Sequence, residues 1–149
     1  MTQPYGIPPL TRDDVDHLNL LRIGFFVVAG MTALFGLFPL LYTAFGVMVL
    51  GGFFQAHAAK GPPPPEFVGW LLLVGGSLFT VWLEAVAVTS FLAGRALGAR
   101  KNRTFVMIVG ALHLPHAPLG TLLGIFTILI LSRPSVRATF EAAERGGRQ

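Results

Sequence analysis

The sequence predicts an all-α integral membrane protein: a four-helix bundle with a kinked or broken fourth span and a short interfacial C-terminal helix. Three observations predict it. Hydrophobic residues make up 53% of the 149 and charged residues only 12%, against about 25% charged in a soluble domain. Three runs, Ile23 to Ala59, Phe67 to Gly94 and Thr104 to Ser132, hold a single formal charge, Glu84, when their histidines are neutral. Each can cross a bilayer, because a helix rises ~1.5 Å per residue and the hydrocarbon core is ~30 Å thick. Lys and Arg flank the runs, as Arg100, Lys101 and Arg103 do before the last and Arg133 and Arg137 after it.

Residues 1–10, with Pro4, Pro8 and Pro9, read as an extended tail. Residues 11–132 read as the membrane domain, with spans of about 18–37, 40–54, 67–94 and 104–132. Thr11 caps the first helix, with Asp14 three residues on and two acids in the first turn. The apolar run starts near Leu18 after three aspartates and exceeds a signal-peptide core, so it reads as an uncleaved span. Ala56-His57-Ala58 resembles a cleavage site but lies too late for one. One helix from Ile23 to Ala59 would reach ~55 Å, so Gly36 and Pro39 are expected to mark a hairpin turn. Gln55 to Glu66 is a loop stiffened by Pro62 to Pro65. Trp70 suits an interfacial anchor.

Gly75 and Gly76, and Gly120 and Gly124 in a GxxxG pattern, are the expected helix-packing positions, because small residues let backbones approach. Residues 133–149 read as an interfacial helix and tail. Pro134 suits the first turn, Val136 and Phe140 share a face, and Arg137, Glu141 and Arg145 lie on another.

Pro115 and Pro118 break the last run at its centre, where freed carbonyls need protein or water. Four full crossings put seven Lys and Arg with the two termini and four (Arg95, Arg100, Lys101, Arg103) opposite. That count favours cytoplasmic termini. A fold-back at Pro115–Pro118 divides them three against eight but requires a re-entrant hairpin. Four spans is the working expectation.

The candidate chemistry is sparse. A charge such as Glu84 at mid-depth costs roughly 2.5–3.5 kcal/mol, so it is expected to be neutral, paired or beside water. It suggests either an interhelix hydrogen bond or a proton or ion pathway with His113 and His116, which lie at similar depth. Those histidines, three apart, could also ligate haem or a chlorophyll-type pigment. The simpler expectation is hydrogen bonds to carbonyls and no cofactor. No metal site is expected. Cysteine is absent, which excludes disulfides and thiolate chemistry. No nucleotide loop, nucleophile elbow or zinc-protease motif occurs, so no enzyme is expected. The net charge of +4 lies beside the apolar runs and suits anionic lipid rather than nucleic acid.

At Pro118 to Phe140, PLGTLLGIFTILILSRPSVRATF, the chain resembles a group of small, functionally uncharacterised bacterial multi-span membrane proteins. They share a closing phrase of Pro, a small residue, Gly, an apolar helix and Arg-Pro-Ser-Val. The resemblance implies a bacterial inner (cytoplasmic) membrane location and transfers no catalytic residue. The expected role is a small structural or accessory subunit, packing against itself or a larger membrane complex. The alternatives are an oligomeric proton or ion conductor and a haem- or pigment-binding subunit.

Overall fold

The first helix begins with a reciprocal cap. Thr11 Oγ1 accepts from the Asp14 N–H at 3.2 Å, and Asp14 Oδ2 accepts from the Thr11 N–H at 3.4 Å, as the Thr-x-x-Asp spacing predicts. The computed structural model describes residues 10–57, 62, 64–115 and 118–146. Among these every regular element is helical: α1 (Arg12–Gly36), α2 (Phe38–Leu50), α3 (Phe53–His57), α4 (Glu66–Ala99), α5 (Arg103–His113), α6 (Leu119–Leu131) and α7 (Pro134–Gly146).

Two stretches, Arg12–Leu50 and Glu66–Ala99, are long and apolar enough to cross a membrane. A third would require α6 and α7 to be one span bent by 79°. The four full spans expected from the sequence are therefore reduced in two places. At Gly36–Pro39 there is no hairpin turn: Leu37 alone separates α1 from α2, and Arg12–Leu50 forms one 39-residue apolar helical stretch. Pro39 lies in the first turn of α2, where a missing N–H costs nothing. The junction is bridged by tighter bonds, Leu37 N–H to Leu34 O and Leu40 N–H to Leu37 O, both 3.2 Å.

The second reduction is in the Thr104–Ser132 run. The chain folds back between α5 and α6, which pack against each other as an antiparallel pair. Arg103 Nε donates to Leu131 O at 2.8 Å, joining the two ends. Near the bend, Thr121 Oγ1 donates to Leu114 O at 2.7 Å, satisfying a carbonyl that the break exposes. A Cβ on Gly124 would lie 2.5 Å from Gly110 O, so the two backbones touch. Prolines at the bend and glycines along the contact turn one run into a helical hairpin.

Two compact units divide the chain, one of Met1–Ala29 with Val88–Gln149 and one of Gly30–Ala87. In the first, Phe25, Val106, Val109, Leu131, Val136 and Phe140 are buried in a common core. Thus α7 keeps the two-faced character expected of it: Val136 and Phe140 point inward, and Arg137 pairs with Glu141 at 2.7 Å on the exposed side. Arg100 and Asn102 adopt left-handed backbone (φ 51° and 53°). Lys101 N–H bonds to Ala96 O at 3.0 Å, which closes the end of α4. The turn at Arg100–Arg103 therefore lies at the same end of this unit as Thr11 and Arg133.

In the second unit α2 and the last turn of α1 run antiparallel to α4 along a seam of small and hydroxyl residues. A Cβ on Gly46 would lie 2.5 Å from Leu73 N, and one on Gly76 would lie 2.8 Å from Thr43 N. Thr43 Oγ1 donates to Pro39 O at 3.3 Å and lies 3.5 Å from Ser77 Oγ.

Candidate functional site

Among the described residues, His113, its neighbour Ser90 and Glu84 are the candidates for chemistry inside the apolar helices. His113 closes the last turn of α5 and is 3% exposed. Its Nδ1 lies 2.7 Å from Val109 O. A carbonyl only accepts, so Nδ1 carries the proton. In a neutral ring Nε2 then accepts from Ser90 Oγ, 3.0 Å away and fully buried. Phe25 covers the ring edge-on at a centroid distance of 6.0 Å.

This geometry suits a structural hydrogen bond. Ligation of haem or a pigment needs one ring nitrogen free, and both are engaged. The serine lacks access to solvent, and the imidazole is oriented by a carbonyl rather than by a carboxylate, so the pair is not arranged as an activated nucleophile. His116, expected as its companion, lies outside the described residues. Among the described residues no group of three His, Cys, Asp or Glu could hold a metal.

Glu84 lies in the Gly30–Ala87 unit near the middle of α4, half-buried on the side facing α1. A Cβ on Gly36 would come within 2.5 Å of Glu84 Oε1. The glycine is thus the notch that receives the carboxyl. Among the described residues that carboxyl has no hydrogen-bond or ion-pair partner; of the two histidines expected to hold it, His113 has its ring nitrogens engaged by Ser90 and Val109, and His116 lies outside the described residues.

The four packing glycines separate by role. Gly76 lies on the seam, whereas Gly75 faces outward with nothing within 4 Å of its Cβ position. Gly124 meets α5 within the hairpin and Gly120 is buried. The GxxxG pair therefore serves a contact inside the chain.

One polar cluster was read from the sequence only as a cap. Asp14 is 4% exposed. Besides its cap bonds, its carboxylate accepts from Arg133 Nη1 at 2.9 Å and Ser135 Oγ at 2.8 Å. The Arg133 bond first, then Ser135 and Thr11, hold its pKa down to about 2 from 3.8. Asp14 precedes the apolar part of α1, and it ties the start of α1 to the start of α7. No local pattern announces a partner 119 residues away.

An apolar groove of about 430 Å³ lies between α1, from His17 to Val28, and α6, from Leu119 to Ile130. Apart from His17 its lining is aliphatic, aromatic or glycine, suited to hydrocarbon and not to catalysis. Among the described residues His17 Nδ1 is the one buried side-chain polar atom without a hydrogen-bond partner.

No protein-family model, curated protein or solved structure matches the chain.

Proposed function

We propose that this is a small structural or accessory subunit of a bacterial inner-membrane complex, acting through helix–helix packing. The observation that carries the reading is the disposition of polar and apolar groups. The described polar side chains inside the helices bond mostly within the chain, while large apolar residues such as Leu20, Leu71, Leu78 and Val81, all 67% exposed, face outward. A lipid-facing surface with its polar groups turned inward suits a packing partner better than a catalyst. The main test is extraction from native membranes in mild detergent followed by mass measurement of the intact particle. The expected result is an assembly larger than the 16.0 kDa chain; a particle of one chain overturns the reading.

We also propose an orientation. Arg12–Leu50 and Glu66–Ala99 are taken as two crossings and α5–α6 as a re-entrant hairpin. Ten of the eleven Lys and Arg then share one side, and Lys60 alone is opposite. That asymmetry is cleaner than either division read from the sequence and favours a cytoplasmic location for the ten. Both crossings exceed the ~20 residues a bilayer needs, so tilt or protrusion takes up the excess. The chain has no cysteine, which makes labelling simple. An impermeant thiol reagent should reach Pro62→Cys in intact cells and Asn102→Cys only after the membrane is opened. The reverse pattern would invert the assignment.

The conductor reading keeps one supporting observation, the unpaired Glu84. Against it stands the seam, where the backbones of α2 and α4 touch. Proton flux in liposomes that Glu84→Gln abolishes would restore it.

A further inference from the structure

We propose that Glu84 is a docking point for a membrane-spanning helix of another polypeptide that carries a basic side chain at mid-depth. The inference rests on the accessory-subunit reading and names the chemistry of the partner. Glu84 is about 27 Å from the start of α4 and about 22 Å from its end, by the rise of a helix. A carboxyl at that depth needs a partner, because lipid offers it none. Among the described residues this chain supplies none. The nearby hydroxyls of Thr43 and Thr80 already donate, to Pro39 O at 3.3 Å and Gly76 O at 2.9 Å.

Charge complementarity decides between occupants. Ile23 to Leu50 and Phe67 to Gly94 contain no Lys, Arg or His. Either of those two spans in a second copy would therefore present at this depth an identical carboxyl or no charge, and no cation. A different helix with a lysine or arginine at its centre would neutralise Glu84 and have its own charge neutralised in return. Glu84 is partly exposed beside Gly36, and its neighbours Val81 and Ala85 on the same helix are exposed. Their side chains are short enough to admit a second helix.

The test uses the full chain in liposomes, with a donor dye on Asn102→Cys. The probe is a synthetic transmembrane helix of leucine and alanine with one central lysine and an acceptor dye. A helix with leucine in place of that lysine is the control. Energy transfer should show association about fivefold tighter for the lysine helix. Glu84→Ala should erase the preference and Glu84→Gln should reduce it, while Asp14→Asn, outside the span, should leave it intact. Equal binding of the two probes, or a preference that survives Glu84→Ala, overturns the proposal. So does Glu84-dependent association of two labelled copies with no preference for the lysine probe, which would make the second copy the occupant. A native assembly that persists in mild detergent when Glu84 is replaced removes this docking point and leaves the accessory reading standing. A wild-type particle of one chain removes that reading itself.

Discussion

The two units of the chain hold their helices together by different means. In Gly30–Ala87 the contact is a seam of glycines and hydroxyls, with Gly46 against Leu73 N and Gly76 against Thr43 N. In the other unit a larger apolar core is fastened by polar bonds of long sequence separation: Ser90 to His113, Arg103 to Leu131 O, and Asp14 to Arg133. Lipid is as apolar as leucine, so burying leucine gains little there. Helices in hydrocarbon must gain from closeness, which small residues allow, or from hydrogen bonds. The seam relies on the first. The second unit uses the bonds, and its outermost one, at Asp14, lies where the chain meets water and can keep an ion pair.

The contrast predicts a ranking of mutational effects. Gly46→Leu should be the most damaging, because the new side chain meets Leu73 N and Gly69 O rather than a movable side chain. We expect a loss of about 3 kcal/mol, read by unfolding in mixed detergent micelles. Gly75→Leu, one residue from the seam glycine but facing outward, should change stability by less than about 0.5 kcal/mol. Equal effects at the two positions would dissolve the seam as an explanation.

His113→Leu should cost about 2 kcal/mol, since it removes both buried ring bonds, to Ser90 Oγ and to Val109 O. Ser90→Ala, which removes the bond to Nε2 and keeps the one to Val109 O, should cost about 1 kcal/mol. If Ser90→Ala proved as costly as Gly46→Leu, the polar bond rather than backbone closeness would be the stronger device.

The effect at Asp14 should depend on pH. The folded carboxyl sits at about 2 against an ordinary 3.8. The unfolded chain therefore binds the proton more readily. Its contribution is complete above roughly pH 4 and disappears as the pH falls through about 2. Asp14→Asn should flatten that acid limb in a detergent melt and leave the neutral region lowered by a small constant amount. An unchanged acid limb would mean that the Arg133 pair adds nothing to stability at the water boundary.

Much of this was determined by the sequence alone. Membrane character, helical content, the Thr11–Asp14 cap, the break at Pro115–Pro118 and the two-faced α7 all follow from residues within a few positions of one another. Local rules decide them: apolar run length, the missing proline donor and cap spacing. Only the tertiary structure decided the rest. Gly36 and Pro39 read as a turn, but the proline falls in the first turn of α2, so the helices run on. Pro115 and Pro118 read as a break, but whether the halves continue or fold back depended on Gly110 meeting Gly124. Gly75 and Gly76 were indistinguishable as neighbours, and helix rotation put one on the seam and the other outside. Ser90 for His113, Arg133 for Asp14 and the notch at Gly36 for Glu84 came from which faces met. The dihedral angles at the breaks set those faces, and short sequence patterns leave such angles undetermined.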